Sequence, residues 1–118
     1  MRIISGTNKG KKLYAPEGKR VRPTGDKIKE AIFNIIGSID EESTVLELFA
    51  GSGSIGIEFL ARGAKHCTFV DISRKSLNYV KKNLELCNFS EKANIISSDY
   101  EKAIINLSKD NEKFDYIF

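Results

Sequence analysis

The sequence has 118 residues and a net charge of +3, which suits one domain with a hydrophobic core. No apolar run approaches the roughly 20 residues that a membrane-spanning helix requires, and the N-terminus lacks the apolar core of a signal peptide. We therefore expect a cytoplasmic protein with no membrane partner. Cys67 and Cys87 are too few and too far apart for a disulfide framework or a metal cluster, so no metal site is predicted.

Positive charge is concentrated at the N-terminal end of the chain. Residues 1–30 contain nine Lys or Arg against three Asp or Glu, a balance of +6, whereas residues 31–118 contain ten against thirteen, a balance of −3. Basic segments of this kind often bind polyanions, because each cation that neutralises a phosphate releases counterions. A merely solvated basic surface is the alternative, and composition alone leaves both interpretations open.

The basic segment itself predicts a β-hairpin followed by a connector. Two short, partly apolar runs at residues 2–5 and 11–15 flank a glycine-containing turn, and the tip carries Lys9, Lys11 and Lys12. Residues 16–23 are rich in Pro, Gly and charge, which is typical of a connector. We therefore expect residues 1–23 to form a basic hairpin and connector, and residues 24–118 to form the main domain.

The main domain begins with a predicted helix. Thr24 suits its N-cap and Gly37 its end. Five apolar residues at helical spacing predict its buried face: Ile28, Ala31, Ile32, Ile35 and Ile36.

The rest of the chain alternates between strand-like and helix-like stretches. Strands are predicted at residues 44–49, 67–71, 93–97 and 114–118. A helix between the first two ends at Gly63, the next is capped by Ser73, and a third covers about residues 100–107. This alternation predicts an α/β fold with a parallel sheet and crossover helices.

A glycine-rich loop joins the first predicted strand to the following helix. Gly51, Ser52, Gly53, Ser54, Ile55 and Gly56 match the pattern G-x-G-x-x-G in the position where that pattern binds a cofactor. Glycines permit a tight turn, and the helix N-terminus offers unpaired N–H groups. A tight packing turn without a ligand is the alternative.

Acidic residues lie near the carboxyl ends of three predicted strands. Asp71 is 20 residues after Gly51, where a carboxylate can accept hydrogen bonds from a ribose diol. Asp99 ends the third strand and suits either a ligand contact or a helix cap. Glu47, just before the glycine loop, would repel a dinucleotide's pyrophosphate and attract a cationic cofactor such as S-adenosylmethionine.

Two sets of motifs resemble the bacterial small-subunit rRNA (guanine-N2) methyltransferases of the RsmD type. The first is Val45-Leu46-Glu47-Leu48-Phe49-Ala50-Gly51-Ser52-Gly53, followed by Gly56 and Arg62-Gly63-Ala64. The second lies in the leading segment and comprises Arg2-Ile3-Ile4-Ser5-Gly6, Lys9-Gly10-Lys11-Lys12-Leu13, Arg22-Pro23-Thr24, Asp26, Lys29-Glu30-Ala31 and Phe33-Asn34. The resemblance covers essentially the whole chain. It implies a Rossmann-like class I S-adenosylmethionine-dependent methyltransferase fold, truncated after the fourth strand, with an N-terminal β-hairpin.

The resemblance also implies roles for individual residues. Glu47 and the loop from Gly51 to Gly56 would hold the methionine end of the cofactor, Asp71 its ribose hydroxyls and Asp99 its adenine amino group. The full implied cofactor site comprises Glu47, Phe49, Gly51, Ser52, Gly53, Gly56, Asp71, Ile72, Asp99, Tyr100, Arg22 and Thr24. The RNA contacts are predicted from the charge of the leading segment instead, and they are Arg2, Lys9, Lys11, Lys12 and Arg20. The family's catalytic motif, Asp or Asn-Pro-Pro-Tyr or Phe, is absent from the sequence up to Phe118, so we assign no catalytic residue.

These features predict methyl transfer from S-adenosylmethionine to a guanine N2 in ribosomal RNA, either naked or in an assembling small subunit. A fragment of an NAD-dependent oxidoreductase and a non-catalytic RNA-binding remnant are the alternatives. A sheet that stops at its fourth strand leaves an apolar edge. We therefore expect the 118-residue chain alone to self-associate through that strand or to derive from a longer parent.

Overall fold

The computed structural model describes the backbone of residues 1–15 and 23–118 and the side chains of residues 1–15 and 25–118. Helices and strands alternate after the first helix, as predicted. The elements are α1 (Pro23–Ile36), β1 (Thr44–Glu47), α2 (Ser54–Ala61), β2 (His66–Asp71), α3 (Arg74–Leu86), a 3-10 turn (Ser90–Lys92), β3 (Ala93–Ser97), α4 (Tyr100–Lys109) and β4 (Tyr116–Ile117). Within the described ranges, no helix is long and apolar enough to cross a membrane.

The four strands form one parallel sheet in the order β3-β2-β1-β4. The predicted α/β class and the parallel sheet are therefore confirmed. β1 ends at Glu47, two residues earlier than expected, because Phe49 takes a left-handed backbone conformation with φ of 53°. β2 lies on one side of β1 and β4 lies on the other, so the order in which strands are added to the sheet reverses at β1. Ligands of open α/β sheets bind at such points.

Helices cover both faces of the sheet. Side chains alternate along each strand, so Val45 and Phe69 pack with α2 and α3, whereas Leu46 and Val70 face Ala103 of α4. Ser73 caps α3 as predicted, since its side chain accepts a hydrogen bond from the Ser76 N–H.

The N-terminal hairpin packs against the same core. An antiparallel bridge joins Arg2 to Lys12, and Ile3 and Leu13 are buried with the residues of α2. A side chain at Gly6 would overlap the carbonyl oxygen of Ala61 at the end of α2. The close approach of hairpin and helix therefore requires glycine at this position.

The predicted buried face of α1 is only partly correct: Ile32 and Ile36 pack against the core, whereas Ile28, Ala31 and Ile35 are exposed. Ile35 is 85% exposed and Ile28 is 56% exposed, whereas Lys29 and Phe33 are buried. The face that packs on the core is rotated by about one residue, because the Lys29 ammonium finds hydrogen-bond partners inside the protein. The predicted N-cap also differs, since the helix begins at Pro23 and therefore includes Thr24.

Candidate cofactor site

A cleft of about 250 Å³ opens at the carboxyl edge of the sheet. Residues from three successive strand ends line it, which is where open α/β folds bind ligands. Five of the residues proposed from the sequence meet here: Phe49, Asp71, Ile72, Asp99 and Tyr100. Val70 and Ser98 complete the lining.

Apolar groups form the walls of this cleft. The rings of Phe49 and Tyr100 lie 5.2 Å apart between centroids, and the side chain of Phe49 is 71% exposed. Ile72 is also largely exposed. A bulky apolar side chain held in a left-handed backbone conformation and exposed to solvent is more often found at a binding site than in a structural turn. A flat aromatic ligand such as a nucleobase would fit between such groups.

Asp71 fixes the start of the glycine loop. Its Oδ2 accepts a hydrogen bond from the Gly51 N–H at 2.9 Å, and its Oδ1 accepts one from the Ser73 N–H at 2.8 Å. Each carboxylate oxygen has a second lone pair, so these bonds are compatible with donation from ribose hydroxyls. The residue therefore has a structural task that the sequence did not reveal.

Asp99 is the N-cap of α4. Its Oδ1 accepts a hydrogen bond from the Lys102 N–H at 2.9 Å, so the capping alternative raised from the sequence is present. Its Oδ2 lies 4.0 Å from the Lys102 ammonium and stays available to a donor in the cleft. A cap and a ligand contact can thus use different oxygens of one carboxylate.

Glu47 lies behind the glycine loop and is only 5% exposed, whereas the sequence suggested a position at its mouth. Its Oε1 accepts a hydrogen bond from the Gly56 N–H at 3.0 Å, and the Ile55 N–H also bonds to the carboxylate. Burial raises the pKa of Glu47 to about 8, against the opposing effect of these bonds. The carboxyl group therefore occupies the N–H groups of α2 that would otherwise bind an anion.

The three glycines of the loop have different structural roles. Gly51 and Gly53 have φ of 60° and 82°, a conformation that glycine adopts without strain. Gly56 is buried against Cys67 and Phe69, and a Cβ there would overlap both side chains. Gly53 likewise faces Phe69 and Val80. Gly53 and Gly56 therefore let α2 pack on β2, while Gly51 and Ser52 are the partly exposed part of the loop, and the cofactor contacts of these residues stay predictions.

The basic residues of the hairpin divide into two groups. Arg2, Lys9 and Lys12 are exposed and line a groove of about 630 Å³ beside Lys27 of α1. The Lys11 ammonium instead donates to the Leu86 carbonyl at 3.1 Å and to Asn8 Oδ1 at 3.2 Å. The Lys11 charge therefore lies at the C-terminus of α3, which argues against the predicted RNA contact of this residue.

Three proposed residues fall partly or wholly outside the described structure. Arg20 and Arg22 lie outside the described residues, and only the backbone of Thr24 is described. Their roles stay predictions from the sequence. Among the residues that are described, no group of His, Cys, Asp and Glu side chains could hold a metal ion.

Sequence reasoning missed two buried polar residues that support the loop. Asn83 bonds to the Ser52 carbonyl, and Lys29 bonds to the Ser54 hydroxyl. The position of Asn83 held a usable signal, because it follows Val80 by three residues on the apolar face of α3. Lys29 carried no such signal, since its ion-pair partner Glu58 lies 29 residues away in the sequence.

Comparison with known proteins identifies the family. The whole chain, residues 1–118, matches the family described as Conserved hypothetical protein 95. It is 45% identical over 118 residues to "Putative rRNA methyltransferase YlbH" of Bacillus subtilis and 35% identical to "Ribosomal RNA small subunit methyltransferase D" of Haemophilus influenzae. All of this chain aligns in both comparisons, but it spans only 64% and 61% of the lengths of those relatives.

The fold is shared with a solved structure of a hypothetical protein from Thermus thermophilus. The TM-score is 0.86 at 23% identity, and the alignment covers 100% of this chain and 67% of the other. At that identity the likeness concerns the fold alone. With a family match over every residue, the chain belongs to the Conserved hypothetical protein 95 family, the RsmD family that its hairpin and glycine-loop motifs resemble.

Proposed function

We propose that the protein transfers a methyl group from S-adenosylmethionine to the exocyclic N2 of a guanine in small-subunit ribosomal RNA. In this proposal the described chain supplies the cofactor-binding part. The observation that carries it is the meeting of Phe49, Asp71, Ile72, Asp99 and Tyr100 in one cleft beside the glycine loop. Two relatives that are named as rRNA methyltransferases, one of them putative, support the same reaction.

The chemistry of the cleft fits this cofactor. Its charged lining consists of Asp71 and Asp99, with no Lys or Arg among the described lining residues. Carboxylates suit the ribose hydroxyls, the adenine amino group and the cationic methionine end, and the apolar walls suit adenine. When bound, the cofactor supplies a methyl group activated by its positively charged sulfur.

The same contacts disfavour a dinucleotide. In dinucleotide-binding folds the pyrophosphate lies on the free N–H groups of the helix that follows the glycine loop. Here the Gly51 N–H donates to Asp71 and the Gly56 N–H donates to Glu47. A pyrophosphate would have to displace the Glu47 carboxyl group from the Gly56 N–H and approach the Asp71 carboxylate, which favours a phosphate-free cofactor over NAD.

We assign roles in the proposed site residue by residue. Glu47 holds the glycine loop in place through the Gly56 N–H, the loop around Gly51 and Ser52 orients the methionine end, Asp71 holds the ribose, and Asp99 accepts from the adenine amino group. Arg22 and Thr24 complete the pocket by resemblance to the family. No residue of the described chain is assigned to proton removal from the guanine amine.

The groove between the hairpin and α1 is the proposed RNA contact. Arg2, Lys9, Lys12 and Lys27 outnumber the acidic Asp26 and Glu30 along it, although Arg2 pairs with Asp26 at 3.8 Å. Arg20 is a further contact proposed from the basic charge of the leading segment. Such cations bind phosphates with little regard to sequence, so the choice of guanine must come from elsewhere. Because ribosomal subunits are assembled in the bacterial cytoplasm, we place the activity there.

The direct test is methylation by the full-length protein. Small ribosomal subunits and naked small-subunit RNA, both lacking the modification, are incubated with labelled S-adenosylmethionine, and the RNA is digested to nucleosides for mass spectrometry. We expect N2-methylguanosine in at least one substrate. Label in a different nucleoside would refute the guanine N2 assignment. Cofactor binding without any label would support the non-catalytic alternative.

A further inference from the structure

A single buried amide group joins the N-terminal hairpin to the glycine loop. Asn83 of α3 is fully buried. Its Nδ2 donates to the Ser52 carbonyl at 2.9 Å and to the Tyr14 carbonyl at 3.0 Å, and its Oδ1 accepts from the Tyr14 N–H at 2.6 Å. Both donors of the side chain are therefore in use, one on each segment.

A second bridge is made by Lys29 of α1. Its buried ammonium donates to the Arg2 carbonyl at 2.7 Å and to the Ser54 hydroxyl at 3.1 Å, and it pairs with Glu58 at 3.2 Å. Arg2 lies on the first strand of the hairpin, and Tyr14 follows its second strand. Asn83 thus joins Tyr14 to Ser52. Lys29 joins Arg2 to Ser54, so each of the two serines that flank Gly53 is linked to the hairpin.

These bridges make the loop and the hairpin depend on each other. If the hairpin moved away from α3, Asn83 would lose its bonds to Tyr14 and keep only Ser52, leaving buried polar groups unpaired. Such groups are costly in a protein interior. Conversely, a hairpin held in place by RNA keeps Asn83 oriented so that one donor points at the Ser52 carbonyl.

We propose that Asn83 is a positioning residue that makes cofactor binding at the glycine loop and RNA binding at the basic hairpin cooperative. Lys29 and Ser54 form a second link with the same effect. The inference rests on the proposed function, since it needs both ligands. RNA that orders the hairpin tightens the cofactor site, and by thermodynamic linkage the cofactor tightens RNA binding by the same factor.

The test measures the dissociation constant of S-adenosylhomocysteine for the full-length protein, with and without saturating small-subunit ribosomal RNA. For the wild type we expect RNA to lower it at least about fivefold, the lower end of usual cooperative effects. Asn83→Asp has the same shape but no donors, so we expect its ratio of dissociation constants without and with RNA to fall below that of the wild type, with only the Lys29 link left. Leu84→Val, a buried neighbour on α3 without bonds to either segment, is the matched control and should keep the wild-type ratio.

A milder variant covers the case in which Asn83→Asp does not fold. Ser54→Ala removes only the hydroxyl that Lys29 reaches, and a ratio below that of the wild type would support the proposal, while an unchanged ratio would overturn it. A wild-type ratio of 1 would overturn it as well. The proposal would also be overturned if Asn83→Asp kept the wild-type ratio and only melted at a lower temperature, which is the behaviour expected of Leu84→Val. If the wild type binds no S-adenosylhomocysteine at all, the proposed function fails together with this inference.

Discussion

The Gly56 N–H donates a hydrogen bond to the buried Glu47 carboxyl group across 3.0 Å. The two residues lie nine positions apart, one at the end of β1 and the other in the first turn of α2. The N-cap of this helix is Gly53, and among the described residues no other side chain is seen to cap it. Glu47 therefore does for α2 what Ser73 does for α3, but from the interior of the protein.

The free energy of unfolding should depend on pH because the buried Glu47 carboxyl group titrates at a raised pKa. Its pKa in the folded chain, about 8, lies above the ordinary value of 4.5. Below the ordinary value the group is protonated in both the folded and the unfolded state, so its titration does not lower the stability. As the pH rises toward 8 only the unfolded chain releases the proton, so stability falls, by up to about 4 kcal/mol.

Glu47→Gln isolates this effect. The glutamine Oε1 still accepts from the Gly56 N–H, but the group no longer titrates. Urea unfolding from pH 5 to 8.5 should show a smaller loss of unfolding free energy with pH in the variant than in the wild type. Equal pH slopes for the two proteins would contradict a buried carboxyl group with a raised pKa.

The two proposed tasks of Asp99 can be separated by substitution. Asn caps helices as well as Asp, so Asp99→Asn should keep the melting temperature, with its Oδ1 on the Lys102 N–H. Its Nδ2 would then replace Oδ2 and face the adenine amino group, so we expect cofactor affinity to fall at least about tenfold, roughly 1.4 kcal/mol. Asp99→Ala should lose about 1 kcal/mol of stability as well. Calorimetry with S-adenosylhomocysteine and thermal melts give both values, and unchanged affinity in Asp99→Asn would exclude the adenine contact.

Much of the architecture was predictable because local patterns determine it. Short apolar stretches between helix-like stretches located the strands, and the Ser73 cap followed from residue type and position. The buried face of α1 was only partly predictable, because a lysine in a helix normally indicates a solvated surface. Its burial depends on Glu58, Ser54 and the Arg2 carbonyl, which only the tertiary fold brings together.

The candidate cofactor site was likewise predictable only in part. The positions of Asp71 and Asp99 followed from the strand ends, but their bonds to Gly51 and Lys102 did not. Which oxygen bonds to which N–H depends on the path of the loop after each strand. The apparent exposure of Glu47 was misleading for a similar reason, because its side chain points behind the loop rather than into its mouth.

Gly56 is expected to tolerate no larger side chain. A Cβ would overlap Phe69 and Cys67, so Gly56→Ala should destabilise the protein by about 2–3 kcal/mol through overpacking. Gly25→Ala is the control, since that glycine also lies in a helix and a Cβ there would meet only the flexible Met1 side chain. Urea unfolding measures both. A neutral Gly56→Ala would show that α2 does not pack as closely on β2 as described.

Charge reversal should distinguish exposed from anchored lysines in the hairpin. For Lys9→Glu with Lys12→Glu, the slope of log affinity for RNA against log salt concentration should become shallower by about 1.5–2, as two phosphate contacts are lost. Lys11→Ala should leave that slope unchanged and lower stability, because its ammonium bonds to the Leu86 carbonyl. Filter binding at several salt concentrations provides the slopes. A slope unaffected by the double reversal would remove the hairpin from the RNA contact.

The edge of the sheet at β4 should make the 118-residue chain self-associate. Ile117 is 63% exposed and pairs with β1 on one side only, within the described residues. Exposed strand edges recruit further strands unless a charge prevents it. Light scattering should therefore detect oligomers of this chain that Ile117→Lys reduces. A wild-type chain that stays monomeric and melts cooperatively would contradict the expectation.

Calorimetric titration of the protein with S-adenosylhomocysteine and, separately, with NAD tests the cofactor assignment most directly. We predict saturable binding of S-adenosylhomocysteine that Asp99→Asn weakens, and no heat of binding with NAD. Binding of NAD with no response to S-adenosylhomocysteine would contradict the proposed site and, with it, the proposed methyl transfer.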